Sequence, residues 1–416
     1  MLAKHLNKLG HRVTVIRSGE FYRKPDKNLD YKNDGIRVYS FLGSNSPAER
    51  FRRGEFEEEV FSTESKRLSF LPYIIRKPLA SAYLTLIVPI IVNNTSQKKA
   101  KLQQEFIDNL EEKNFDIVFA TYSNLENTYS GAYAAKKFGC KYILDFRDLI
   151  AQKSNQSFID FLLKSRIQKK VIAKANACTT VSEGLSDEIR KQFPEKKIFT
   201  LYNGYEKNES KNPDISEEKK LSFCYTGTLY RNLRDATPLF KVLKRLNDDK
   251  KIDINNIIFH YAGAEYEDLL AQAEACGVEN ILVNHGYVNK TEVQSIQCSS
   301  DLFVVLSWNT KFAKGILTGK FYESLKNKKP VIACISGDEP RSELKNIITE
   351  YNLGVCFEQA DSEATEQMLY NYIAEQYNRK ISSGKVAYEA EPDVFNKFEY
   401  SGIAKQLETI MKEIIC

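Results

Sequence analysis

One stretch constrains this chain more than any other. An apolar run, Asp301-Leu-Phe-Val-Val-Leu306, is followed by a loop over 307–317 and then by Thr318-Gly-Lys-Phe-Tyr-Glu-Ser-Leu-Lys-Asn-Lys-Lys-Pro-Val-Ile-Ala333. The first run has the length and β-branched content of a buried strand. Thr318 stands where a helix N-cap belongs, Phe321 and Leu325 share a helical face, and Pro330 is expected to end the helix before a strand over 331–335. Strand, loop, helix, strand is the repeating unit of a parallel sheet.

The chemistry of this unit lies at the start of its helix. A helix start presents N–H groups without partners and a partial positive charge, which together attract phosphate. Gly319 lets backbone come close to a ligand, and Lys320 adds a cation. Glu323, three residues on, shares the face of Lys320. A cation for phosphate and a carboxylate for ribose hydroxyls suit a nucleoside diphosphate. The same residues equally suit a capped surface helix with an i,i+3 ion pair.

At 416 residues the chain exceeds a single core, so two domains are expected. Its 42% hydrophobic and 28% charged residues fit a soluble globular protein. Sixty basic residues stand against 55 acidic ones, and a net charge of only +5 argues against a nucleic-acid binder. Eight cysteines stand singly at 140, 178, 224, 276, 298, 334, 356 and 416, with no C-x-x-C pair, and the four histidines are dispersed. That pattern argues against a zinc site or a disulfide framework and suits a reducing cytosol. The sequence does not open on a secretory signal peptide.

Residues 1–10 read as a helix ending at Gly10, and 11–17 and 36–41 read as strands. The apolar run 71–92 is interrupted by Arg76, Lys77, Pro78 and Pro89. It reads as a buried or interfacial helix, with contact to a membrane surface or a lipid-chain groove as the alternative. Strands are expected over 116–120, 141–144, 177–181 and 198–202, and helices over 129–138, 158–175 and 182–193. Asp145-Phe-Arg-Asp148 ends one of those strands, where ligands bind open parallel sheets. A structural salt bridge and helix cap explain the same residues. The polar segment 205–220, with Pro213, reads as a linker. A second series then begins. Strand 221–225 leads to Thr226-Gly-Thr228 and to a loop carrying Arg231 and Arg234. Strands over 257–261 and 281–284 lead to Ala262-Gly263 and His285-Gly286. A short strand over 354–357 and helices over 362–378 and 395–415 close the chain.

Several segments carry a resemblance in a fixed order: Leu9-Gly-His-Arg-Val-Thr-Val-Ile16, Tyr142-Ile-Leu-Asp-Phe-Arg-Asp148, Thr180-Val-Ser-Glu-Gly184, Leu201-Tyr-Asn-Gly204, Tyr225-Thr-Gly-Thr-Leu229 and the stretch 318–332. They resemble retaining glycosyltransferases of the GT-B fold, family 4, from bacterial surface-polysaccharide assembly. The resemblance spans nearly the whole chain except 45–110. It implies an α/β protein of two Rossmann-like doubly wound domains facing across a cleft. Residues 1–204 would form the acceptor-side domain, 205–220 the linker and 221–394 the nucleotide-sugar domain, with 395–416 returning to the first. Glu323 would hold the donor ribose, and Thr318, Gly319 and Lys320 would face the diphosphate, with Gly227 and Thr228 on the adjoining loop. Arg231 or Arg234, the latter favoured, would neutralise the leaving phosphate. Asp148, Arg147 and Asp145 would lie on the acceptor side.

The resemblance further implies no cofactor and no metal, a nucleotide-sugar donor, and a glycan or polyprenyl-linked acceptor. It also implies no nucleic acid, and a cytoplasmic protein at the inner face of the cytoplasmic membrane, in peripheral contact with it. A non-catalytic chain of this type and a sugar-nucleotide 2-epimerase are the competing readings. Two departures stand out. Many family members carry a glutamate eight residues before the position of Glu323, where this chain has Gly315. The chain is also expected to lack the first strand and Gly-rich loop that this architecture places ahead of the helix over 1–10.

Overall fold

The computed structural model describes residues 1–18, 35–41, 88–152, 158–207, 220–230 and 233–416. Arg231, most of the apolar run 71–92 and most of the linker segment 205–220 lie outside them. The chain divides into two compact units. One contains Met1–Val181, Leu185–Leu201 and Ala404–Cys416; the other contains Ser182–Gly184 and Tyr202–Ile403.

The first series of elements is α1 (Leu2–Lys8), β1 (Thr14–Ser18), β2 (Arg37–Phe41), α2 (Val88–Asp108), β3 (Ile117–Tyr122), α3 (Leu125–Phe138), β4 (Lys141–Phe146), α4 (Phe158–Lys174), β5 (Ala177–Thr180), α5 (Glu183–Gln192) and β6 (Lys197–Thr200). Strand β1 pairs in parallel with β2, and β3-β4-β5-β6 form a separate parallel sheet in chain order. Among the described residues no strand joins the two sheets. Leu144, Phe146, Ile172, Cys178 and Ile189 make the dry centre of this unit. Helix α3 begins at Leu125, earlier than its apolar pattern marks, because the Asn124 side chain accepts the Asn127 N–H at 3.1 Å. It ends at Gly139, in the left-handed conformation at φ 65°.

The second series is β7 (Leu221–Thr226), α6 (Thr237–Asp248), β8 (Ile257–Ala262), α7 (Tyr266–Glu274), β9 (Leu282–Asn284), α8 (Lys290–Ser299), β10 (Leu302–Trp308), α9 (Gly319–Asn327), β11 (Val331–Ser336), α10 (Glu343–Glu350), β12 (Gly354–Glu358), α11 (Ser362–Ser383), α12 (Asp393–Phe398) and α13 (Tyr400–Ile415). The six strands are all parallel, in the order β12-β11-β10-β7-β8-β9. They are near-continuous apolar runs because both faces are covered. One layer gathers Phe223, Tyr225, Phe240 and Phe259, and another gathers Val305, Phe321, Ile335 and Phe398. This is the doubly wound architecture that the alternating pattern implied.

Two element ends differ from expectation. Helix α9 stops at Asn327 because Lys328 adopts φ 50°, ψ 51°, so Pro330 follows a helix already closed. The final helix is two, since Glu399 at ψ 139° is extended and separates α12 from α13.

A buried charge clamps the base of the second sheet. Asp301 accepts the Ser222 N–H at 3.0 Å and its hydroxyl at 2.9 Å, and Lys380 of α11 reaches its other oxygen at 2.9 Å. Lys380 is 1% exposed and Asp301 3%. Removing one partner of such a pair strands a buried charge. Lys380→Ala should therefore cost about 3–5 kcal/mol, read from denaturant unfolding of the full chain. Ser222→Ala, which leaves the pair intact, should cost about 1 kcal/mol in the same measurement. Equal and small losses for both would show that the clamp does not hold the sheet.

Candidate active site

Parallel strands bring all their carboxyl ends to one edge of the second unit. The order reverses between β7 and β10, and these two strands pair only through Leu302 with Phe223 and Phe303 with Cys224. Beyond that short pairing they part, which makes the crevice where open α/β sheets bind ligands. Thr226 and Gly227 leave it on one side and Ser307 and Trp308 on the other.

Helix α9 starts at this crevice, with Thr318 at its N-cap. The Thr318 hydroxyl does not cap the helix. It is buried and has no hydrogen-bond partner within the protein. A Cβ added at Gly319 would meet nothing within 4 Å, so the helix start is open. Lys320 Nζ lies 3.0 and 2.9 Å from the two Glu323 carboxylate oxygens. The Lys320 stem passes Gly227 so closely that a Cβ there would stand 3.0 Å from its Cε. The glycine is what lets the cation lie along the loop.

Glu323 is held from a third direction. Gln297 of α8 donates to its carboxylate at 2.5 Å and to the Thr226 hydroxyl at 2.8 Å. Gln297 is buried, whereas the Glu323 side chain keeps 35% of its surface. The carboxylate thus retains room to accept hydroxyl groups.

Arg234 sits across the loop that follows β7. Its Nη1 donates to the Thr228 carbonyl at 2.7 Å and to the Tyr225 hydroxyl at 3.3 Å. Its guanidinium lies 4.5 Å from the Tyr230 ring and 5.8 Å from the Trp308 ring. Its Nε is buried without a hydrogen-bond partner in the protein. The loop itself is tied by Glu265, whose carboxylate accepts the N–H groups of Leu229 and Tyr230. Gly227 N–H bonds the Ala262 carbonyl at 2.8 Å, and Gly263 N–H bonds the Gly286 carbonyl at 2.9 Å. Successive strand-end loops are thereby laced together. A Cβ at Gly263 would fall 2.4 Å from the Gly227 oxygen and the Tyr261 hydroxyl, so no side chain fits there.

The first unit holds the other group of sequence-predicted residues. Asp145 is fully buried and saturated. It accepts the hydroxyls of Thr121 at 3.1 Å and Thr179 at 2.7 Å, and Arg147 Nε at 2.8 Å. It thereby ties Arg147 to the two threonines of the neighbouring strands. Asp148 stands at the surface, yet the protein around its carboxyl pushes its pKa up, opposed by a hydrogen bond from Gln152.

Residues 1–204 match the family described as a glycosyl transferase 4-like domain. The chain has the GT-B fold. A glycosyltransferase from Rickettsia africae is similar over 100% of this chain and 93% of its own, at 15% identity and a TM-score of 0.56. Sucrose-phosphate synthase from Thermosynechococcus elongatus matches over 99% and 91%, at 10% identity and a TM-score of 0.60. The Anabaena protein HepE, solved with UDP and glucose, matches over 99% and 95%, at 12% identity and a TM-score of 0.54. No curated protein matches the chain in sequence.

The departure at Gly315 has a structural cause. Gly315 has φ 71°, and a Cβ there would stand 2.5 Å from Ser182 Oγ and 2.9 Å from a Glu343 oxygen. Glu343 accepts the N–H groups of Glu183 and Gly184 at 2.8 and 3.0 Å and the Tyr202 hydroxyl at 2.9 Å. A glutamate at 315 has no space. Gln297, Glu265 and Glu343 escaped sequence reasoning. Only Glu265 carried a signal, two residues after Gly263 at a strand end.

The histidines are less dispersed than their spacing suggests. His260 Nδ1 and His285 Nε2 are 3.1 Å apart at neighbouring strand ends. Among the described residues no group of three or more His, Cys, Asp or Glu could hold a metal. Burial lowers the His285 pKa from its ordinary 6.5. A base that binds its proton less readily when folded favours the folded state above the unfolded pKa, and stability falls as pH drops through that value. Unfolding measured between about pH 7 and 5 should show this loss, and His285→Gln should flatten it. An unchanged slope in the variant would remove His285 from the account.

Proposed function

We propose that this protein is a retaining glycosyltransferase. It moves a sugar from a nucleoside diphosphate donor to a glycan or polyprenyl-linked acceptor in capsule, O-antigen or exopolysaccharide assembly. The observation that carries the reading is the open start of α9. Lys320 and Glu323 stand together there, beside two buried polar atoms, Thr318 Oγ1 and Arg234 Nε, with no partner in the protein. Each such atom costs about 1–3 kcal/mol when left unpaired, so a ligand that pairs them is favoured. A diphosphate has the acceptor oxygens to do so.

In this reading the bond between the anomeric carbon and the phosphate oxygen breaks, and its electron pair stays with the phosphate. Charge grows on that oxygen in the transition state. Lys320, the N–H groups of Gly319 and Lys320, and Arg234 stabilise it, taking the place of a metal. Gly227 and Thr228 shape the adjoining loop, and Glu323 accepts the ribose hydroxyls, held by Gln297. The acceptor hydroxyl attacks on the face that the leaving group departs from, and its proton passes to the departing phosphate. Asp148 and Arg147, the latter fixed by Asp145, are assigned to the acceptor. The UDP and glucose in the Anabaena structure make UDP-glucose the first donor to test.

Glu323→Ala should weaken UDP binding in calorimetry by about 1–3 kcal/mol, the usual cost of lost charged hydrogen bonds. Lys320→Ala should also lower the rate of labelled-sugar transfer to a lipid extract, because its target charge grows in the transition state. Unchanged affinity and turnover in both variants would reduce the pair to a surface ion pair. Conversion of the donor to an epimer, without transfer, would overturn the acceptor assignment.

A further inference from the structure

Helix α4 exposes one continuous face with an unusual composition. At about 3.6 residues per turn, Phe158, Ile159, Leu162, Arg166, Lys169, Lys170, Ala173 and Lys174 fall within one arc, and each of them is exposed. Phe158 is 75% exposed, Ile159 45% and Leu162 43%. The opposite face holds the buried Gln168, Val171 and Ile172. Asp160, the helix's only acidic residue, lies off the exposed arc, paired with Lys164 at 2.9 Å. The arc is therefore apolar at its N-terminal end, cationic at its C-terminal end, and free of carboxylates. Lys174 partly faces back, 5.7 Å from the Tyr129 ring.

Three large apolar side chains on one exposed arc are costly in water unless something covers them. The cations select the cover. A neutral or acidic apolar surface patch would not need four of them beside it, whereas an anionic bilayer uses both halves. Apolar residues enter the headgroup boundary while Lys and Arg meet the phosphates. Topology adds a direction. Strands β4 and β5 are parallel neighbours, and α4 connects them, so it runs opposite to both. Its apolar end thus lies at the same sheet edge as Asp145 and Asp148.

We propose that α4 docks the protein on an anionic lipid surface, with Phe158, Ile159 and Leu162 inserted and Arg166, Lys169 and Lys170 on the headgroups. Helix α4 is a different segment of the chain from the apolar run 71–92. It deepens the lipid-linked acceptor reading above, since it brings the edge carrying Asp148 to the membrane. Its test needs no donor and no transfer, so the two stand or fall separately.

The full chain is mixed with phosphatidylcholine vesicles, with or without phosphatidylglycerol, and sedimented at low salt. Binding is expected to the anionic vesicles and not to the neutral ones. Lys169→Gln with Lys170→Gln should weaken it roughly 5-fold for each charge removed. Phe158→Ser with Leu162→Ser should weaken it at least as much, while both variants melt like the parent because these side chains are exposed. Salt at about 1 M, where the screening length is about 3 Å, should weaken the parent's binding also. Equal binding to neutral vesicles, no binding to anionic ones, or full binding by both variants would overturn the proposal. So would a dimer of the parent that the apolar variant abolishes, which would make the face a contact between copies.

Discussion

The second sheet depends on a clamp placed where it is weakest. β7 and β10 share only two residue pairs, and the sheet would come apart at its switch point if nothing else held it there. Asp301 supplies what the short ladder lacks. Its backbone N–H meets the Ser222 carbonyl, and its carboxylate takes the Ser222 N–H and hydroxyl. Lys380 then neutralises it from α11. With the base closed, the upper parts of the strands are free to part, and the crevice is a consequence of that geometry. Thr226, Gln297 and Glu323 line up across it through successive hydrogen bonds.

Two ion pairs in the same unit illustrate opposite uses of charge. The Lys380–Asp301 pair is dry, so breaking it is expensive, and it serves structure. The Lys320–Glu323 pair keeps 20% and 35% of its side-chain surface. A pair this exposed is worth about 0–1 kcal/mol. A phosphate at Lys320 and hydroxyls at Glu323 need overcome only that much to replace it. The pair is best understood as the resting arrangement of two groups that a nucleotide would separate in function while leaving both in place.

Much of the architecture was legible because it is local. Each apolar run followed by Gly or a Thr-Gly pair became a parallel strand, and the helix over 318–327 begins at its marked N-cap. Lys320 and Glu323 meet because i,i+3 spacing forces them to. What was not legible comes from long-range pairing. Asp301 and Lys380 are 79 residues apart, and His260 and His285 are 25 apart. Gln297 has no local pattern to distinguish it from any polar helix residue. The end of α9 was misplaced because proline is a visible stop and a left-handed Lys328 is not. The exposed arc of α4 needed the structure too, since periodicity alone does not tell a buried apolar stripe from one facing water.

Helix starts also explain why this protein tolerates Gly315. Any helix start attracts an anion, so a protein with several must decide which remain open. At α5 the choice is closed: Glu343 fills the position with its own carboxylate on the N–H groups of Glu183 and Gly184. That carboxylate lies so near Gly315 that a second acid there would meet both a steric wall and a like charge. At α9 the choice is open. Thr318 turns its hydroxyl away from the cap, Gly319 leaves space before it, and the nearest carboxylate, Glu323, is already shared with Lys320 and Gln297. One helix start is thus filled by a side chain of the fold, and the other is the one that the proposed reading gives to the donor phosphate.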